Sequence, residues 1–466
     1  MPPDAVSTPV ETELYEVRRA IYPRAVHGWF AGWRIALVLA TQLIYYGAAW
    51  LEWNGRQAVL FDLAARKFYI FGLVFWPQDF IFLTTLLVIS ALSLFLFTAL
   101  AGRLWCGYAC PQTVYTEIFM WIERAVEGDR MRRMKLDAQP ASARKLRLKV
   151  LKHALWIAFA LWTGFTFVGY FTPIRTLAHE AAALALGPWE SFWVLFYGFA
   201  TYGNAGWMRE QVCKYMCPYA RFQSVMFDSD TLVITYDAGR GEPRGSRSRG
   251  AAPRQAGLGD CVDCGICVQV CPTGIDIRRG LQYECIGCAA CIDGCDQVMD
   301  KMGYARGLIR YSTENAVLGR YREGEILRRV LRPRTLVYGA VLLAVTCAFV
   351  ALLILRVPLK VDVIRDRATL TRETADGLIE NVYRLQLMNT TEQAREFAIT
   401  ADGLGGLQLV AQLPVTVPAA TTLSVPVALR VDPRAAAPGS HAVRFHIEDR
   451  ADARIRADEK SVFYVR

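Results

Sequence analysis

Histidine is scarce in this sequence of 466 residues, and its scarcity excludes one class of membrane redox protein. A transmembrane haem needs two axial ligands that meet within the apolar spans. His153 lies at the end of an apolar run and has no partner within a span, so a haem b is not expected. His441 and His446 lie an odd number of positions apart on a predicted strand and point to opposite faces, which favours surface histidines over a copper site. The full set is His27, His153, His179, His441 and His446.

Three other absences narrow the function. No G-x-G-x-x-G pattern follows a predicted strand, so a Rossmann domain for nicotinamide or flavin is not expected. No nucleic-acid-binding motif accompanies the net charge of +10. The basic residues instead crowd the segments that flank apolar runs, where they fix topology and meet anionic lipid. No cleavable signal peptide is expected, because residues 1–28 are polar and carry charges of both signs.

Cysteine, by contrast, is concentrated, because twelve of the thirteen cysteines fall into two types of motif. The first type is a pair of runs with the spacing C-x2-C-x2-C-x3-C, as in a bacterial two-cluster ferredoxin. Pro272 follows the first run, whereas Asp296 follows the second, where proline is usual. This departure changes a turn and leaves the ligand count unchanged. The runs are Cys261, Cys264, Cys267 and Cys271, then Cys285, Cys288, Cys291 and Cys295.

Each run is predicted to supply three thiolates to one [4Fe–4S] cluster and its fourth thiolate to the other cluster. The alternatives are a zinc site or a set of disulfide bonds. Zinc usually takes two C-x2-C pairs and not two four-cysteine runs, so two [4Fe–4S] clusters are favoured. The predicted ligand sets are Cys261, Cys264, Cys267 and Cys295 for the first cluster, and Cys271, Cys285, Cys288 and Cys291 for the second.

The second type of motif, C-x3-C-P, occurs twice, each time shortly after an apolar run. The repetition of two apolar runs plus this motif predicts a pseudo-symmetric pair of halves. Cysteines at i and i+4 share one helix face. Proline disfavours the helical conformation in the residue before it, so the second cysteine of each motif is expected to end a turn. The four residues are Cys106, Cys110, Cys213 and Cys217.

Three interpretations of these four cysteines remain open. They could converge to hold copper, another metal ion or a further iron–sulfur cluster, since four thiolates suit Cu(I), zinc or iron–sulfur. They could form two separate redox dithiols, or they could have no chemistry. The repetition favours a function, and we favour a shared site. Cys347 lies within the last apolar run and is expected to be a small packing residue.

Hydrophobic residues make up 53% of the chain, and the sequence predicts five membrane spans. Four runs approach the ~20 residues that cross a bilayer. A fifth run, Ser191–Met208, is shorter and polar in places, and is either a span or a re-entrant segment. The positive-inside rule places the amino terminus and residues 102–152 and 209–334 in the cytoplasm, and five spans leave the tail outside. The four longer runs are Trp33–Trp50, Phe80–Leu100, Ala154–Phe171 and Thr335–Leu355.

The cysteine-free tail, residues 357–466, has a different character. Its alternating patterns, separated by turn signals, predict a β-sandwich outside the cytoplasm. The predicted strands lie at Asn381–Met388, Leu407–Ala411, Thr422–Val431, Ala442–Glu448 and Ser461–Val465. The predicted order is an amino-terminal segment 1–32, a four-span region 33–236, a Gly/Arg-rich linker 237–257, a ferredoxin-like domain 258–300, a connector 301–334, a fifth helix 335–356 and the tail.

The motifs together resemble the cytochrome c oxidase accessory protein family, also called CcoG, FixG or RdxA. The resemblance is carried by CGYACP, CKYMCPYARFQ, the block from CVDCGIC to GLIRYSTEN, and DRATLTRETADGLIENVYRLQLMN. It implies a multi-pass inner-membrane protein of bacteria with an α-helical bundle, a cytoplasmic two-cluster ferredoxin-like domain and a periplasmic immunoglobulin-like β-sandwich. It also implies partners, namely subunits of a cbb3-type cytochrome oxidase or copper chaperones.

The resemblance links the family to oxidase assembly through reduction of Cu(II) to Cu(I) for the oxidase copper centre. Electrons would pass from an unidentified donor through the two clusters to Cys106, Cys110, Cys213 and Cys217. One alternative is a quinol-oxidising membrane ferredoxin that feeds a periplasmic reductase. Another is an assembly scaffold without catalysis, in which the clusters are structural and the tail docks the oxidase.

Overall fold

The structure, a computed structural model, describes residues 20–249, 257–366 and 370–465. Much of the predicted amino-terminal segment and residues 250–256 of the predicted linker lie outside the described residues. The chain divides into two compact units, and each is assembled from three segments. The first unit is Met1–Thr41, Leu94–Trp162 and Phe196–Leu336, and the second is Gln42–Ser93, Thr163–Leu195 and Val337–Arg466.

Helices form at all five positions where the sequence predicts spans. Among the described residues, three of them are long and apolar enough to cross a membrane: Pro77–Ala101, Ala143–Val168 and Pro333–Ile354. The other two are Trp29–Ala48 and Pro188–Thr201, and a π-helical segment, Tyr202–Met208, continues the latter. The apolar helices indicate a membrane protein, and the count of five spans stays a prediction.

The helix Phe80–Ala101 shows why such a run is helical. Lipid offers no hydrogen-bonding partner, so every backbone group must be satisfied within the segment. The side-chain hydroxyls also find their hydrogen-bond partners within the helix. Thr84, Thr85 and Ser90 each donate to the carbonyl oxygen four residues earlier, at 3.1, 2.8 and 2.8 Å. The most apolar stretch of this helix has no residue buried within the protein. Its side chains therefore need an apolar surrounding, which a bilayer supplies.

Both cysteine runs lie in the first unit, between two strands that pair with each other. Val233–Tyr236 and Ile309–Ser312 are antiparallel, with Val233 opposite Ser312. Ile234 and Ile309 are buried with Met299 in one hydrophobic cluster. The strand pair therefore closes a small domain around both runs.

The remaining elements of the first unit are mostly short helices. Those before the first run are Leu104–Tyr108, Pro111–Glu127, Arg130–Ala138, the π-helix Val212–Met216, Pro218–Met226 and Ala238–Gly241. Those after it are Ile266–Gln269, the 3-10 turn Ile277–Arg279, Ala290–Met302, Glu314–Val317, the 3-10 turn Glu323–Glu325 and Ile326–Val330.

The described part of the predicted linker is tied to the start of the first run. The amide of Gly245 donates to the carbonyl of Cys261 at 3.2 Å. Arg240 forms an ion pair with Asp260 at 2.5 Å. These bonds hold the chain on both sides of residues 250–256 close to the ferredoxin-like domain.

The carboxy-terminal segment in the second unit is a β-sandwich with two antiparallel sheets, as the sequence predicts. On strand Ile379–Asn389, the buried Tyr383, Leu385 and Leu387 alternate with more exposed residues. The ring of Tyr383 packs 5.1 Å from that of Phe445 in the other sheet. One sheet has the order Gln408–Val410, Thr422–Val431, Ile379–Asn389, Leu359–Arg365, with Arg372–Glu373 beside Ile379–Asn389. The other has the order Val415–Val417, Arg395–Asp402, Gly439–Asp449, Arg456–Val465.

The second unit also contains small elements that the sequence analysis does not predict. Trp53 pairs with Arg56 in a short hairpin. The helical elements are Ile174–Ala182 and the 3-10 turn Pro433–Ala435. The additional strands are Glu52–Trp53, Arg56–Gln57, Val59–Asp62, Lys67–Ile70 and Leu73–Phe75.

Candidate electron-transfer site

The two cysteine runs have the same backbone turns. In each run, the residues two and four positions after the first cysteine have positive φ. These are Asp263 at 51° and Gly265 at 62°, then Gly287 at 68° and Ala289 at 58°. Positive φ bends the chain sharply. The repeated bend lets each C-x2-C-x2-C segment curl around one point.

Each predicted ligand set lines its own cavity. The first cavity is walled by apolar side chains such as Met299 and Leu308, with Arg278 at its edge, and its cysteines are Cys261, Cys264, Cys267 and Cys295. The second is walled largely by isoleucines, and its cysteines are Cys271, Cys285, Cys288 and Cys291, together with Cys267. Four thiols around an apolar cavity fit the thiolate ligation of a [4Fe–4S] cluster. The assignment of each cysteine to its cluster stays a prediction.

Burial disfavours the ionisation of these thiols while no metal is bound. It raises the pKa of Cys267 to about 11 and that of Cys285 to about 12. The pKa of Cys295 is also about 12, because of burial and the charge of neighbouring thiolates. A thiol must lose its proton to become a metal ligand. Cluster assembly at this site therefore releases protons.

Among the described residues, no three His, Cys, Asp or Glu side chains are placed to hold a single metal ion.

The two C-x3-C-P motifs adopt the same local structure. Cys106 lies on the short helix Leu104–Tyr108, and Cys110 is extended, with φ −62° and ψ 128°. Cys213 lies in the π-helix Val212–Met216, and Cys217 is likewise extended. In each motif the proline begins the next helix, where its missing N–H costs nothing. The expectation that the second cysteine ends a turn is confirmed.

One cysteine of each motif reaches the same hydrophobic cluster, since Cys106 is buried in it and Cys213 packs against it. Burial raises the pKa of Cys213 to about 12, a value to which the charges of Cys110, Cys106 and Cys217 also contribute. Burial also raises the pKa of Cys106 to about 11, where Arg103 opposes the effect and Cys110 adds to it. Groups that influence one another's ionisation in this way are close neighbours. We call Cys106, Cys110, Cys213 and Cys217 the four-cysteine site.

A buried polar chain surrounds Cys106, and sequence reasoning does not find it. The thiol of Cys106 contacts Gln223 Oε1 at 3.5 Å, and Arg103 Nε donates to the same oxygen at 2.9 Å. Gln223 Nε2 donates to Thr98 Oγ1 at 3.3 Å, and that hydroxyl lies 2.6 Å from the hydroxyl of Tyr219. The one available signal is their proximity to the motifs in sequence, since Arg103 precedes CGYACP and Gln223 ends CKYMCPYARFQ.

The four-cysteine site lies against the second cysteine run. Cys106 and Cys288 are buried in one hydrophobic cluster with Ile286, and Cys213 packs against that cluster. Tyr311 donates its hydroxyl to the carbonyl of Gly287 at 2.6 Å. The loop of the second run is therefore held on the surface formed by the first C-x3-C-P motif.

A network of buried ion pairs connects the two motifs. Glu123, on the helix that begins after Cys110, pairs with Arg209 at 2.6 Å and with Arg133 at 2.6 Å. Glu127 pairs with Lys149 at 2.9 Å and with Lys152 at 3.1 Å. Arg209 lies just before the second motif. Glu123 thus ties the helix of one motif to the start of the other.

Comparison with protein-family models places iron–sulfur domains on these segments. A 4Fe-4S dicluster domain matches residues 208–314, which contain both cysteine runs and the second C-x3-C-P motif. A 4Fe-4S binding domain matches residues 83–127, which contain the first motif. A model described as an IG-like fold at the C-terminal of FixG matches residues 349–466. These matches identify an iron–sulfur protein with an immunoglobulin-like tail.

Several curated proteins are similar over most of the chain. The nitrogen fixation protein FixG of Rhizobium meliloti is 42% identical over 85% of this chain and 81% of its own length. The proteins RdxA and RdxB of Cereibacter sphaeroides are 42% and 40% identical, over 85% and 89% of both chains. A crystal structure of a FixG-related protein from Vibrio parahaemolyticus matches with a TM-score of 0.21 at 25% identity, over 23% of this chain and 95% of that one. From the curated relatives, this chain belongs to the FixG/RdxA family, as its cysteine motifs predict.

Proposed function

We propose that this protein is a membrane-bound electron-transfer protein that delivers electrons to the four-cysteine site and reduces Cu(II) to Cu(I) there. The observation that carries the proposal is the packing of Cys106 and Cys213, one from each motif, in one hydrophobic cluster with Cys288 of the second cysteine run. The bound clusters supply one-electron transfer. Each Cu(II) takes up one electron, so the reaction needs no proton and no bond to a second substrate.

The residues of the four-cysteine site suit this reaction. Soft thiolates favour Cu(I) over Cu(II) and so stabilise the product. Arg103 and Gln223 hold the side chain of Cys106, and the prolines fix Cys110 and Cys217 at the ends of their turns.

We further propose that the chain crosses the membrane five times, with the cysteine runs in the cytoplasm and the β-sandwich in the periplasm. The helix Ala143–Val168 supports this orientation, because its first turns carry Lys145, Lys149 and Lys152 before the apolar part begins. Lysine and arginine are retained on the cytoplasmic side of spans. Reduced thiols are also stable in that compartment.

The biological role that fits this chemistry is assembly of a cbb3-type cytochrome oxidase. Cu(I) produced at the four-cysteine site would serve the oxidase copper centre, with oxidase subunits or copper chaperones as partners. A strain without this protein should then accumulate oxidase that lacks copper. Normal copper content in oxidase purified from that strain would contradict the role.

A further iron–sulfur cluster at the four-cysteine site is the second candidate. The 4Fe-4S binding domain that matches residues 83–127 covers Cys106 and Cys110, which favours this possibility. Iron content distinguishes the two, because a third cluster adds about half as much iron again as two clusters contain. Replacement of all four cysteines by serine would then lower the iron content, whereas a site for transient copper would leave it unchanged.

The copper reaction is tested on anaerobically purified full-length protein with its clusters reduced by dithionite and the excess removed. Cu(II) is added together with a chelator that absorbs light when it binds Cu(I). We expect Cu(I) to form in proportion to cluster oxidation. A variant in which Cys106, Cys110, Cys213 and Cys217 are all changed to serine should form no Cu(I). The matched control is Cys347→Ser, because Cys347 is exposed and belongs to neither motif. Equal Cu(I) formation in all three proteins would overturn the proposal.

A further inference from the structure

The geometry points to a difference in reduction potential between the two predicted clusters. We infer that the buried Arg34 and Arg103 raise the potential of the cluster held by Cys271, Cys285, Cys288 and Cys291 above that of the other, so that electrons collect beside the four-cysteine site. The difference in potential does not depend on the proposed function, whereas the use of those electrons rests on it.

Arg103 is a buried cation without a compensating carboxylate. Its side chain belongs to a residue with 6% relative exposure. Its Nη1 donates to the carbonyl of Cys285 at 3.3 Å and also to that of Tyr283, and its Nε donates to the amide oxygen of Gln223. It forms no ion pair with any carboxylate of the described residues. An uncompensated buried charge is strongly unfavourable, so an anion is expected nearby, and a thiolate-ligated cluster is one.

Arg34 contacts a different carbonyl of the second cysteine run. It has 8% relative exposure, and its Nη1 donates to the carbonyl of Cys288 at 3.4 Å. Glu117 is 3.7 Å from its Nε, which has no hydrogen-bond partner. This loose pair neutralises Arg34 incompletely. Two buried cations therefore face the second run, and the carboxylates of Glu117 and Asp293 act on Arg34.

The first cysteine run has the opposite balance. Its arginine, Arg278, donates twice to the carboxylate of Asp276, at 2.8 Å each, and also pairs with Asp263 at 2.5 Å. Asp296 adds a further negative charge beside Cys295. Asp260, just before Cys261, is paired with Arg240 at 2.5 Å. Glu284 holds the corresponding position before Cys285. Arg244 Nε is a further 3.9 Å from Asp263, so the first run faces the three carboxylates of Asp263, Asp276 and Asp296 and the two cations Arg278 and Arg244.

Reduction adds one negative charge to a cluster, so a nearby buried cation favours the reduced state and nearby carboxylates oppose it. Burial acts in the other direction, because a more negative cluster loses more by desolvation, and Cys264 of the first run is exposed. The charges dominate, since Arg103 is unneutralised and little water is present around it to screen it. Asp293 acts on Arg34 together with Glu117, which leaves Arg103 as the cation without a compensating carboxylate.

The inference is tested by anaerobic redox titration of the purified full-length protein, followed by electron paramagnetic resonance. Cys264→Ser, which removes a ligand of the first cluster, identifies the potential of the second. We expect wild-type protein to show two potentials and this variant to retain the higher one. Retention of the lower one would overturn the inference, whatever the protein does with copper.

Charge variants test the cause of the difference. Arg103→Gln should lower only the higher potential, and Arg103→Lys should restore most of it because it keeps the charge. Arg278→Gln is the matched control and should move only the lower potential. If Arg103→Gln prevents assembly of the second cluster, Arg34→Gln gives the same test, with the same expected direction. A higher potential that is unchanged in a charge variant with full iron content would overturn the role of these arginines.

Discussion

A Cβ atom placed on Gly107 would lie 2.8 Å from the Cα atom of Cys288, so the first C-x3-C-P motif and the second cysteine run meet backbone to backbone. Cys288 also shares a hydrophobic cluster with Cys106. The contact explains why residue 107 is glycine, since a larger residue would push the loop of the second run away. Electron transfer between the two groups would depend on this close approach.

Gly107→Ala should therefore destabilise the second cysteine run. Overpacking of a close contact costs about 1–3 kcal/mol, and the added methyl here meets backbone atoms that cannot rotate away. We expect a lower melting temperature and loss of iron during purification. Gly32→Ala is the matched control, because nothing lies within 4 Å of its added Cβ. Equal stability and iron content in the two variants would contradict the contact.

The ligand assignment predicts which serine variants lose which cluster. Cys264→Ser and Cys288→Ser should each lose about half of the iron, because each removes a ligand from one of two clusters. The double variant should lose nearly all of it. Iron and sulfide analysis measures this directly. A double variant with the same iron content as either single variant would mean that both cysteines serve one cluster.

Disruption of the buried ion-pair network around Glu123 should cause a large loss of stability. Glu123→Gln leaves Arg133 and Arg209 without their shared carboxylate, and breaking a buried ion pair in this way costs about 3–5 kcal/mol. Thermal denaturation in detergent should show a marked decrease in melting temperature. Asp452→Asn, which removes the exposed pair with Arg454, should leave the melting temperature nearly unchanged. Similar effects of the two substitutions would contradict a structural role for the network.

The lowered pKa of Glu380 predicts how the stability of the β-sandwich depends on pH. Burial alone would raise the pKa of Glu380, but hydrogen bonds from Arg430 and Arg372 outweigh burial and lower it. A carboxylate with a lowered folded-state pKa stabilises the fold above its unfolded pKa of about 4.3, and this contribution is lost as the pH falls through the folded value. The difference in melting temperature between wild type and Glu380→Gln should thus be largest near pH 7 and shrink below pH 4. A difference independent of pH would contradict this sign.

The sequence predicts the parts of the site that depend on local spacing. Both cysteine runs, the extended Cys110 and Cys217, and the paired motifs follow from residues a few positions apart. Arg34, Arg103 and Gln223 are not predictable in this way. Arg34 and Gln223 lie on separate helices and Arg103 lies in the turn before Leu104–Tyr108. Only the packing of the chain brings them to the cysteines.

The tail shows the same division between local and long-range signals. The long alternating strands around Tyr383 and Phe445 are predicted, whereas four strands are missed. Leu359–Arg365 directly follows an apolar helix, which hides its start. Arg372–Glu373 and Val415–Val417 are too short for periodicity to appear. In Arg395–Asp402 only Phe397 and Ile399 are fully buried hydrophobic residues, so the alternation spans too few positions to be recognised.

The most direct test of the account is the rate at which Cu(II) reoxidises the reduced clusters. Rapid mixing would follow the return of cluster absorbance in wild type, in Cys347→Ser and in the protein with all four of Cys106, Cys110, Cys213 and Cys217 changed to serine. The account predicts fast reoxidation in the first two and a loss of at least about tenfold in the third, which corresponds to about 1.4 kcal/mol in activation free energy. Equal rates in all three proteins would show that electrons reach copper without the four-cysteine site and would contradict the account.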